Sequence, residues 1–402
     1  MHRADTADVV IVGAGAAGLS LARRLTRPQE SSNATPSLIL VEPPAGSSVR
    51  SASRTWCFWD DDPGEYDDLV TASWRHMRIT NRDGSSTTAA LPRAYKMIRS
   101  ADFLQHIGTE LRDRTEVRSL EATVTAVRDV PGGAEVSGVD AAGRSVRLTG
   151  RWVFDSRPPR ELPAARTALL QHFRGWFVTT QAERFDPAVA DLMDFRTGQP
   201  DRGLSFVYTL PISTRQALVE YTEFSAAPLS EAAYDSALDH YVRRVRPLGP
   251  FVATAVEQGV IPMTDGFFPR QVGRRVFRIG VAGGATRPST GYAFAAIQRQ
   301  SAAAARALHA GRTPLPTMPH TARHRLMDAV MLRALATGRV GGAAFFEELF
   351  RRNPAERVVR FLDGASSLRD EWAIGLSTPV MPMLRSLAEL PLLPRRKATK
   401  CS

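Results

Sequence analysis

Two glutamates lie inside an apolar stretch, ALVEYTEF at 217–224, and their carboxyl groups are candidates for acid–base chemistry. The stretch is rich in residues that favour a β-strand, in which successive side chains point to opposite faces. Glu220 would share a face with Leu218 and Phe224, and Glu223 would point to the other face. Apolar burial disfavours the charged form of a carboxyl group, so a buried glutamate could deliver a proton to a substrate. The structural alternative is a pairing with an arginine on a solvated edge.

The first thirty residues carry a glycine pattern that is typical of dinucleotide binding. An apolar run predicts a strand at 9–12, and Gly13, Gly15 and Gly18 follow in G-x-G-x-x-G spacing before a helical pattern. These glycines allow a tight turn, close approach of the backbone to a pyrophosphate, and close packing of helix on strand. Glu42 ends the next predicted strand, where its carboxylate could bind a ribose diol. An acid at this place favours the adenosine half of FAD over NADP.

A second glycine segment lies far downstream. A strand predicted at 276–281 runs into Gly283 and Gly284, and Thr290 with Gly291 is predicted to open a long alanine-rich helix. FAD proteins often return to the cofactor at such a strand–loop–helix, whose helix dipole stabilises negative charge on a reduced flavin. Many FAD folds carry Gly-Asp in this loop, so the two glycines here indicate contacts through the backbone.

Asp155 is a further candidate for cofactor binding. It ends a predicted strand, Val153-Phe154-Asp155, shortly before two prolines. In FAD folds of this kind such a strand closes the dinucleotide domain. Asp155 would either serve the cofactor or cap the turn, and the sequence leaves both roles open.

The middle of the chain, 165–262, alternates strand-like segments rich in aromatic and β-branched residues with turns. It predicts an antiparallel sheet that forms the wall of a substrate cavity facing the flavin. Core packing is the alternative for its aromatic residues. The candidates for a cavity lining are Phe173, Trp176, Phe206 and Tyr208.

These patterns predict an α/β protein in three parts. A Rossmann-type FAD-binding domain of the GR2 flavoprotein kind would comprise 1–160 and 255–315. An antiparallel-sheet substrate domain, 161–254, would be inserted into it. The remainder, 316–402, reads as a helical C-terminal region that either caps the cavity or faces a membrane.

The composition and charge of the chain limit which binding partners and which cell compartment we expect. The net charge is +11, but no nucleic-acid-recognition motif accompanies it, so we expect no nucleic-acid partner. No apolar run approaches the ~18 residues that a membrane span needs. Cys57 and Cys401 are too few for a disulfide framework and favour a reducing compartment. We predict no metal site.

Seven stretches, taken in order, resemble the bacterial lycopene cyclase family, flavoproteins that close β-ionone rings on a linear carotene. They are RTWCFW (54–59), YKMIRSADF (95–103), VFDSR (153–157), RGWFV (174–178), FVYTLPIS (206–213), LVEYTEF (218–224) and RPSTGYAF (287–294). The family's acidic motif is an acid, usually a second acid, and then Thr. Glu220 takes the place of the essential acid, Tyr221 replaces the second one, and Glu223 after Thr222 is an additional candidate.

The resemblance implies an acid-initiated, non-redox cyclisation of the ψ end groups of lycopene to β- or γ-carotene. It implies that the reduced form of FAD is active, with NAD(P)H as reductant. Trp56, Phe58 and Tyr292 would stabilise a carbocation through their rings or simply pack. Because the carotenoid substrate dissolves only in lipid, we expect a cytoplasmic protein that associates peripherally with the inner membrane.

Two other kinds of protein share these cofactor segments. One is an FAD-dependent monooxygenase or prenyl-lipid reductase, which needs a true redox cycle. The other is a non-catalytic flavin-binding protein. The two glycines at 283–284 and the strand position of Glu220 argue against the redox enzymes.

Overall fold

The structure is a computed structural model that describes residues 5–27, 35–50 and 52–397, so Cys401 lies outside the described residues. The strands are β1 (Asp5–Val12), β2 (Leu38–Glu42), β3 (Thr55–Asp60), β4 (Ala72–Thr80), β5 (Ser86–Arg99), β6 (Val117–Glu121), β7 (Thr123–Val130), β8 (Gly133–Val139), β9 (Ser145–Asp155), β10 (Ala168–Thr180), β11 (Val189–Asp194), β12 (Leu204–Pro211), β13 (Gln216–Ser225), β14 (Phe251–Thr264) and β15 (Val276–Arg278). The α-helices are α1 (Ala16–Leu25), α2 (Ser100–Arg112), α3 (Glu231–His240), α4 (Phe294–His309), α5 (Ala322–Ala336), α6 (Gly342–Arg352), α7 (Ala355–Asp363), α8 (Leu368–Ser377) and α9 (Val380–Glu389).

The first sheet has the strand order β6-β2-β1-β9-β8-β7, and β15 pairs with β9. Strand β1 runs parallel to both β2 and β9, while β8 is antiparallel to both of its neighbours, β7 and β9. The four residues Val9 to Val12 are fully buried, as expected for a strand covered on both faces. Helix α1 packs against α4. This sheet and its helices confirm the predicted α/β dinucleotide-binding fold.

The second sheet has the order β14-β10-β13-β12-β11-β4-β5-β3. Its neighbours are antiparallel except β11 and β4. The antiparallel strands expected within 165–262 include β10, β12 and β13. Residues 55–99, which the sequence assigned to the FAD-binding domain, supply β3, β4 and β5 to this second sheet. The sheet is therefore not built from the predicted insert 161–254 alone.

The two faces of the second sheet are covered by different parts of the chain. Leu218 and Phe224 of β13 belong to a core that includes the buried side of the C-terminal helices, among them Leu335 and Phe346. Val219, on the opposite face of β13, packs in a separate core under α3. The predicted helical C-terminal region is thus present as α5 to α9.

Two predicted element boundaries are wrong. The strand predicted at 276–281 ends at Arg278, and the helix expected from Gly291 begins only at Phe294. Gly280 has φ +65° and Gly291 has φ +73°, which is left-handed backbone. That conformation suits neither an extended strand nor a right-handed helix, so glycine marks the loops around both elements.

None of the helices in the described part of the chain has both the length and the apolar character that crossing a membrane requires.

Candidate active site

A cavity of about 1090 Å³ is lined by residues of both sheets. Its walls include the turn after β1, the loop between β15 and α4, and side chains of β10, β13 and β14. Pockets for a single small molecule occupy roughly 300–1,000 Å³. This cavity is therefore large enough for a cofactor and part of a substrate to meet.

The glycine turn after β1 lies at one end of the cavity. Gly13, with φ +100°, and Gly15, which caps α1, both line it. A Cβ on Gly15 would meet no atom within 4 Å, so the backbone there is open to a ligand. Gly18 instead faces the turn itself, since a Cβ there would lie 1.9 Å from the Gly13 carbonyl oxygen. The turn thus leaves the start of α1 accessible to an anionic group.

The two acids predicted for the cofactor differ in their surroundings. Glu42, at the end of β2, lines the cavity and pairs with Arg50. Asp155 ends β9 as expected, but its carboxylate accepts the backbone N–H of Arg157 at 3.0 Å and the guanidinium of the same residue at 2.8 and 2.9 Å. The cavity is lined by Ser156 and Arg157 rather than by Asp155. This geometry favours the turn-capping role for Asp155.

The loop between β15 and α4 supplies the opposite wall. Gly283, Gly284, Thr290 and Gly291 all line the cavity. The Thr290 hydroxyl and the Gln171 Oε1 atom are buried and have no hydrogen-bond partner within the described residues. Such an unsatisfied group costs about 1–3 kcal/mol. A ligand with hydroxyl and amide groups, such as the ribityl chain and ring of FAD, fits this wall.

Glu220 points from β13 into the same cavity and is 9% exposed. The Thr222 hydroxyl donates to its Oε1 at 2.9 Å. No arginine or lysine of the described residues forms an ion pair with it, so the alternative of a solvated pair is not observed. Burial raises the pKa of Glu220 well above its usual value, and the neighbouring carboxyl of Glu257 raises it further. Both effects favour the protonated, uncharged form of the Glu220 carboxyl group.

Glu257 is a second buried carboxyl group that the sequence analysis did not find. It lies on β14, lines the cavity and is 7% exposed. The Thr55 hydroxyl donates to its Oε2 at 2.8 Å. Burial raises the pKa of Glu257, although hydrogen bonds from Thr55 act in the opposite direction. A lone acid in the apolar run FVATAVEQGVIP was the available signal, the same one that marked Glu220.

The sheet register explains how these two carboxyl groups meet. Glu220 on β13 and Glu257 on β14 are both paired with Gly175 of the intervening strand β10. Tyr208 of β12 continues the same row beyond Glu220. A Cβ on Gly175 would approach Leu218 Cδ1 to 2.8 Å and Glu220 Cβ to 3.2 Å. The missing side chain leaves the space in which the two carboxyl groups lie side by side.

Glu223 is not brought to the cavity. It lies on the opposite face of β13, under α3, where the Tyr221 hydroxyl donates to its Oε2 at 2.8 Å. His172 Nε2 is 3.7 Å from Glu223 Oε1, and burial lowers the pKa of that histidine. The side-chain alternation expected from the sequence therefore separates the two predicted catalytic acids.

Some of the predicted aromatic residues line the cavity and others do not. Phe173, Tyr208, Trp56 and Tyr292 are part of its wall. Phe58 packs on Phe294 with ring centroids 4.5 Å apart. Phe206 is fully buried in the core, and Trp176 donates to Asp235 on the other side of the sheet at 3.1 Å. Phe58, Phe206 and Trp176 therefore have packing roles.

Comparison with known proteins yields one family. The sequence profile described as "Lycopene cyclase protein" matches residues 8–388. A lycopene beta-cyclase of Pseudescherichia vulneris is 26% identical over 400 residues, covering 94% of this chain and 95% of that protein. A lycopene beta-cyclase of Paracoccus sp. (strain N81106 / MBIC 01143) is 27% identical over 423 residues, covering 96% and 99%.

Solved structures share the fold at low sequence identity. A geranylgeranyl bacteriochlorophyll reductase-like protein from Thermoplasma acidophilum has a TM-score of 0.67 at 13% identity, covering 96% of this chain and all of the other. p-Nitrophenol 4-monooxygenase from Pseudomonas putida has a TM-score of 0.59 at 15% identity, with 98% and 100% covered. A flavoprotein/dehydrogenase from Cytophaga hutchinsonii has a TM-score of 0.58 at 12% identity, with 96% and 99% covered. The fold is thus one that flavoproteins use.

Proposed function

Because this chain belongs to the lycopene cyclase protein family, we propose that it is a lycopene β-cyclase, which converts ψ end groups of lycopene into β-ionone rings. The product would be β-carotene or γ-carotene. One proton enters the substrate and one leaves it, so the net reaction is an isomerisation without electron transfer. The chain must therefore supply an acid, a place for a cation and protection from water.

The observation that carries this proposal is the buried carboxyl group of Glu220 in the cavity, whose surroundings raise its pKa and favour the protonated form. A general acid for an alkene must hold its proton at working pH and must lie in a site that excludes water. Leu218 and Phe173 supply apolar wall beside it. The same two conditions would be met poorly by a glutamate paired with an arginine.

Glu220 would transfer its carboxyl proton to the terminal alkene of the ψ end. A C–H bond forms there and a tertiary carbocation remains on the neighbouring carbon. The next double bond attacks that carbon and closes the six-membered ring, and loss of a ring proton to a carboxylate gives the β end. The apolar wall protects the cation from capture by water, and the rings of Trp56, Tyr208 and Tyr292 offer cation–π stabilisation.

FAD is the cofactor that we propose for the remaining part of the cavity. Gly13, Gly15 and Glu42 would hold its adenosine diphosphate half, and Gly283-Gly284 with Thr290 and Gly291 would hold the ribityl chain and the ring. When bound and reduced by NAD(P)H, FAD would supply negative charge that stabilises a nearby cation. The chain's own contribution is to position that charge beside the carotenoid end group.

A lipid surface is the proposed source of the substrate. Helices α8 and α9 expose several apolar side chains together with the basic side chains of Arg369 and Arg385, which supports peripheral binding to anionic lipid at the cytoplasmic face of the inner membrane. These apolar side chains, which we call the α8–α9 patch, are Leu368, Trp372, Leu376, Val380, Met381, Leu384 and Leu387.

The test is pigment analysis in lycopene-accumulating bacterial cells that express this chain or its Glu220→Gln variant. We expect β- or γ-carotene with the unmodified chain and unconverted lycopene with the variant, a loss of at least ~100-fold for a general acid. As a control, the variant and the unmodified chain should give equal amounts of purified protein and of bound flavin. We expect this because glutamine has nearly the same shape as glutamate and should not disturb the fold.

Other results would redirect the assignment. Cyclisation by Glu220→Gln, together with its loss in Glu223→Gln, would transfer the acid role to Glu223. Lycopene left untouched by the unmodified chain, with NADPH oxidation that tracks substrate and oxygen, would support the monooxygenase or reductase instead. Flavin binding without any turnover would support a non-catalytic flavin-binding protein.

A further inference from the structure

Glu257 is, with Glu220, one of two buried carboxyl groups that line the cavity, and its position follows from the sheet rather than from the sequence near Glu220. Both side chains flank Gly175 in one row across β13, β10 and β14. With strands about 4.8 Å apart, their backbones are separated by roughly 10 Å. The side chains bridge that distance because Gly175 leaves the space between them open, and the two carboxyl groups are within hydrogen-bonding reach of each other.

Two carboxyl groups in such contact cannot both be ionised without strong repulsion, so they share a proton. Each has one hydroxyl donor, Thr222 for Glu220 and Thr55 for Glu257. The charge of Arg99 acts on Glu257 and favours its ionised form. These neighbours favour the arrangement in which the proton resides on Glu220 and is donated in a hydrogen bond to Glu257. Two other titratable groups face the pair, the half-buried Cys57 and the buried Tyr208, and both have raised pKa values that keep them uncharged.

We propose that Glu257 is a positioning residue for the cyclisation: its carboxyl group keeps the reactive proton on Glu220 and, by accepting a hydrogen bond from it, holds the Glu220 carboxyl group in place at the cavity wall. This rests on the proposed function of the site. The proton balance closes within the pair and the substrate. Glu220 loses its O–H bond as the alkene gains a C–H bond, and the proton released by the ring returns to the pair of carboxylates. No oxidant or reductant is consumed.

The test is the pH dependence of cyclisation by the FAD-bound full chain, assayed with lycopene in liposomes of phosphatidylglycerol and phosphatidylcholine under reducing conditions. Activity needs a protonated Glu220 and falls when pH rises through its pKa. The charge of Glu257 raises that pKa, so Glu257→Gln should move the alkaline limb of the profile down by about 1 pH unit or more. Glu257→Asp, which keeps the charge, should restore the limb toward its original position.

Val256→Thr is the matched control, because Val256 is the neighbouring residue of β14, is half exposed and points to the other face. It should leave the profile unchanged. A Glu257→Gln profile that superimposes on that of the unmodified chain would overturn the proposal, and so would an equal shift in Val256→Thr.

Infrared difference spectra separate a failure of this inference from a failure of the cyclase assignment. We expect a protonated carboxyl C=O band at neutral pH that is absent in Glu220→Gln and that titrates at lower pH in Glu257→Gln. This measurement needs no substrate, so it tests the shared proton even if lycopene is not converted. If Glu220→Gln has the same protonated carboxyl bands as the unmodified chain, the inference that the pair shares a proton would be overturned.

Discussion

At the scale of single residues, the protonation of Glu220 depends on opposing neighbours. Burial and the carboxylate of Glu257 raise its pKa, and the hydrogen bond from Thr222 lowers it. Burial is the largest of these effects, so the uncharged form of the group is favoured. The hydroxyl of Thr222 therefore moderates an acid that would otherwise hold its proton more firmly.

Thr222→Val tests this moderation, because valine keeps the shape of threonine and removes the donor. A hydrogen bond to a carboxylate favours its ionised form, so its loss should raise the pKa of Glu220. We expect the alkaline limb of the activity profile to move up, opposite to the shift in Glu257→Gln, together with a several-fold lower rate from a weaker acid. A limb that moves down or stays in place would show that the hydroxyl does not act on Glu220.

At the scale of elements, the cofactor end of the cavity depends on how closely α1 approaches β1. Gly18 allows this approach, since a Cβ there would lie 1.9 Å from the carbonyl oxygen of Gly13 and 3.2 Å from Ile11 Cγ2. The nearer atom belongs to the backbone of the turn and cannot move aside as a side chain would. The turn and the helix N-terminus are therefore fixed together.

Gly18→Ala should displace α1 from the turn and lower both stability and flavin content. Overpacking of this kind costs about 1–3 kcal/mol, and we expect most of the bound flavin to be lost on purification, measured by absorbance. Gly375→Ala in α8 is the control, because a Cβ there meets no atom within 4 Å. It should keep the flavin and, by helix propensity, gain roughly 0.5–1 kcal/mol of stability. Full flavin occupancy in Gly18→Ala would contradict the packing role.

At the scale of the whole molecule, the protein combines a net positive charge with exposed apolar side chains on its C-terminal helices. The chain carries a net charge of +11, and the α8–α9 patch leaves Trp372 72% exposed and Leu376 68% exposed. Exposed large apolar residues that are concentrated on two neighbouring helices are typical of interaction sites. Attraction to anionic lipid and insertion of apolar side chains are each weak, but together they would suffice for the proposed peripheral binding.

The double variant Trp372→Glu, Leu376→Glu should no longer float with phosphatidylglycerol-containing liposomes at low salt. Burying each of these side chains contributes about 1.5–3 kcal/mol, so the partition coefficient should fall at least ~10-fold. The unmodified chain should bind less at 1 M salt, where the Debye length is about 3 Å. Val252→Glu, which charges an exposed apolar residue of β14, is the control. If Val252→Glu loses as much liposome binding as the double variant, the α8–α9 patch has no specific role in that binding.

The sequence by itself determined what is local in this protein. The glycine spacing and the strand–helix pattern around it identified the turn at Gly13, because each glycine is needed by backbone geometry within a few residues. Strand alternation placed Glu220 and Glu223 on opposite faces for the same reason. The α/β class, the antiparallel segments and the helical C-terminus followed from periodicity.

Only the tertiary structure decided which distant residues meet. Glu257 joins Glu220 because β10 pairs with β13 on one side and β14 on the other, and Gly175 leaves a gap in that row. Residues 55–99 join the second sheet through long-range strand pairing, which no local pattern encodes. The start of α4 at Phe294 depends on the left-handed backbone of Gly291. Local backbone geometry is determined by residues that are close in sequence, whereas the contact between the two carboxyl groups depends on strand register across the sheet.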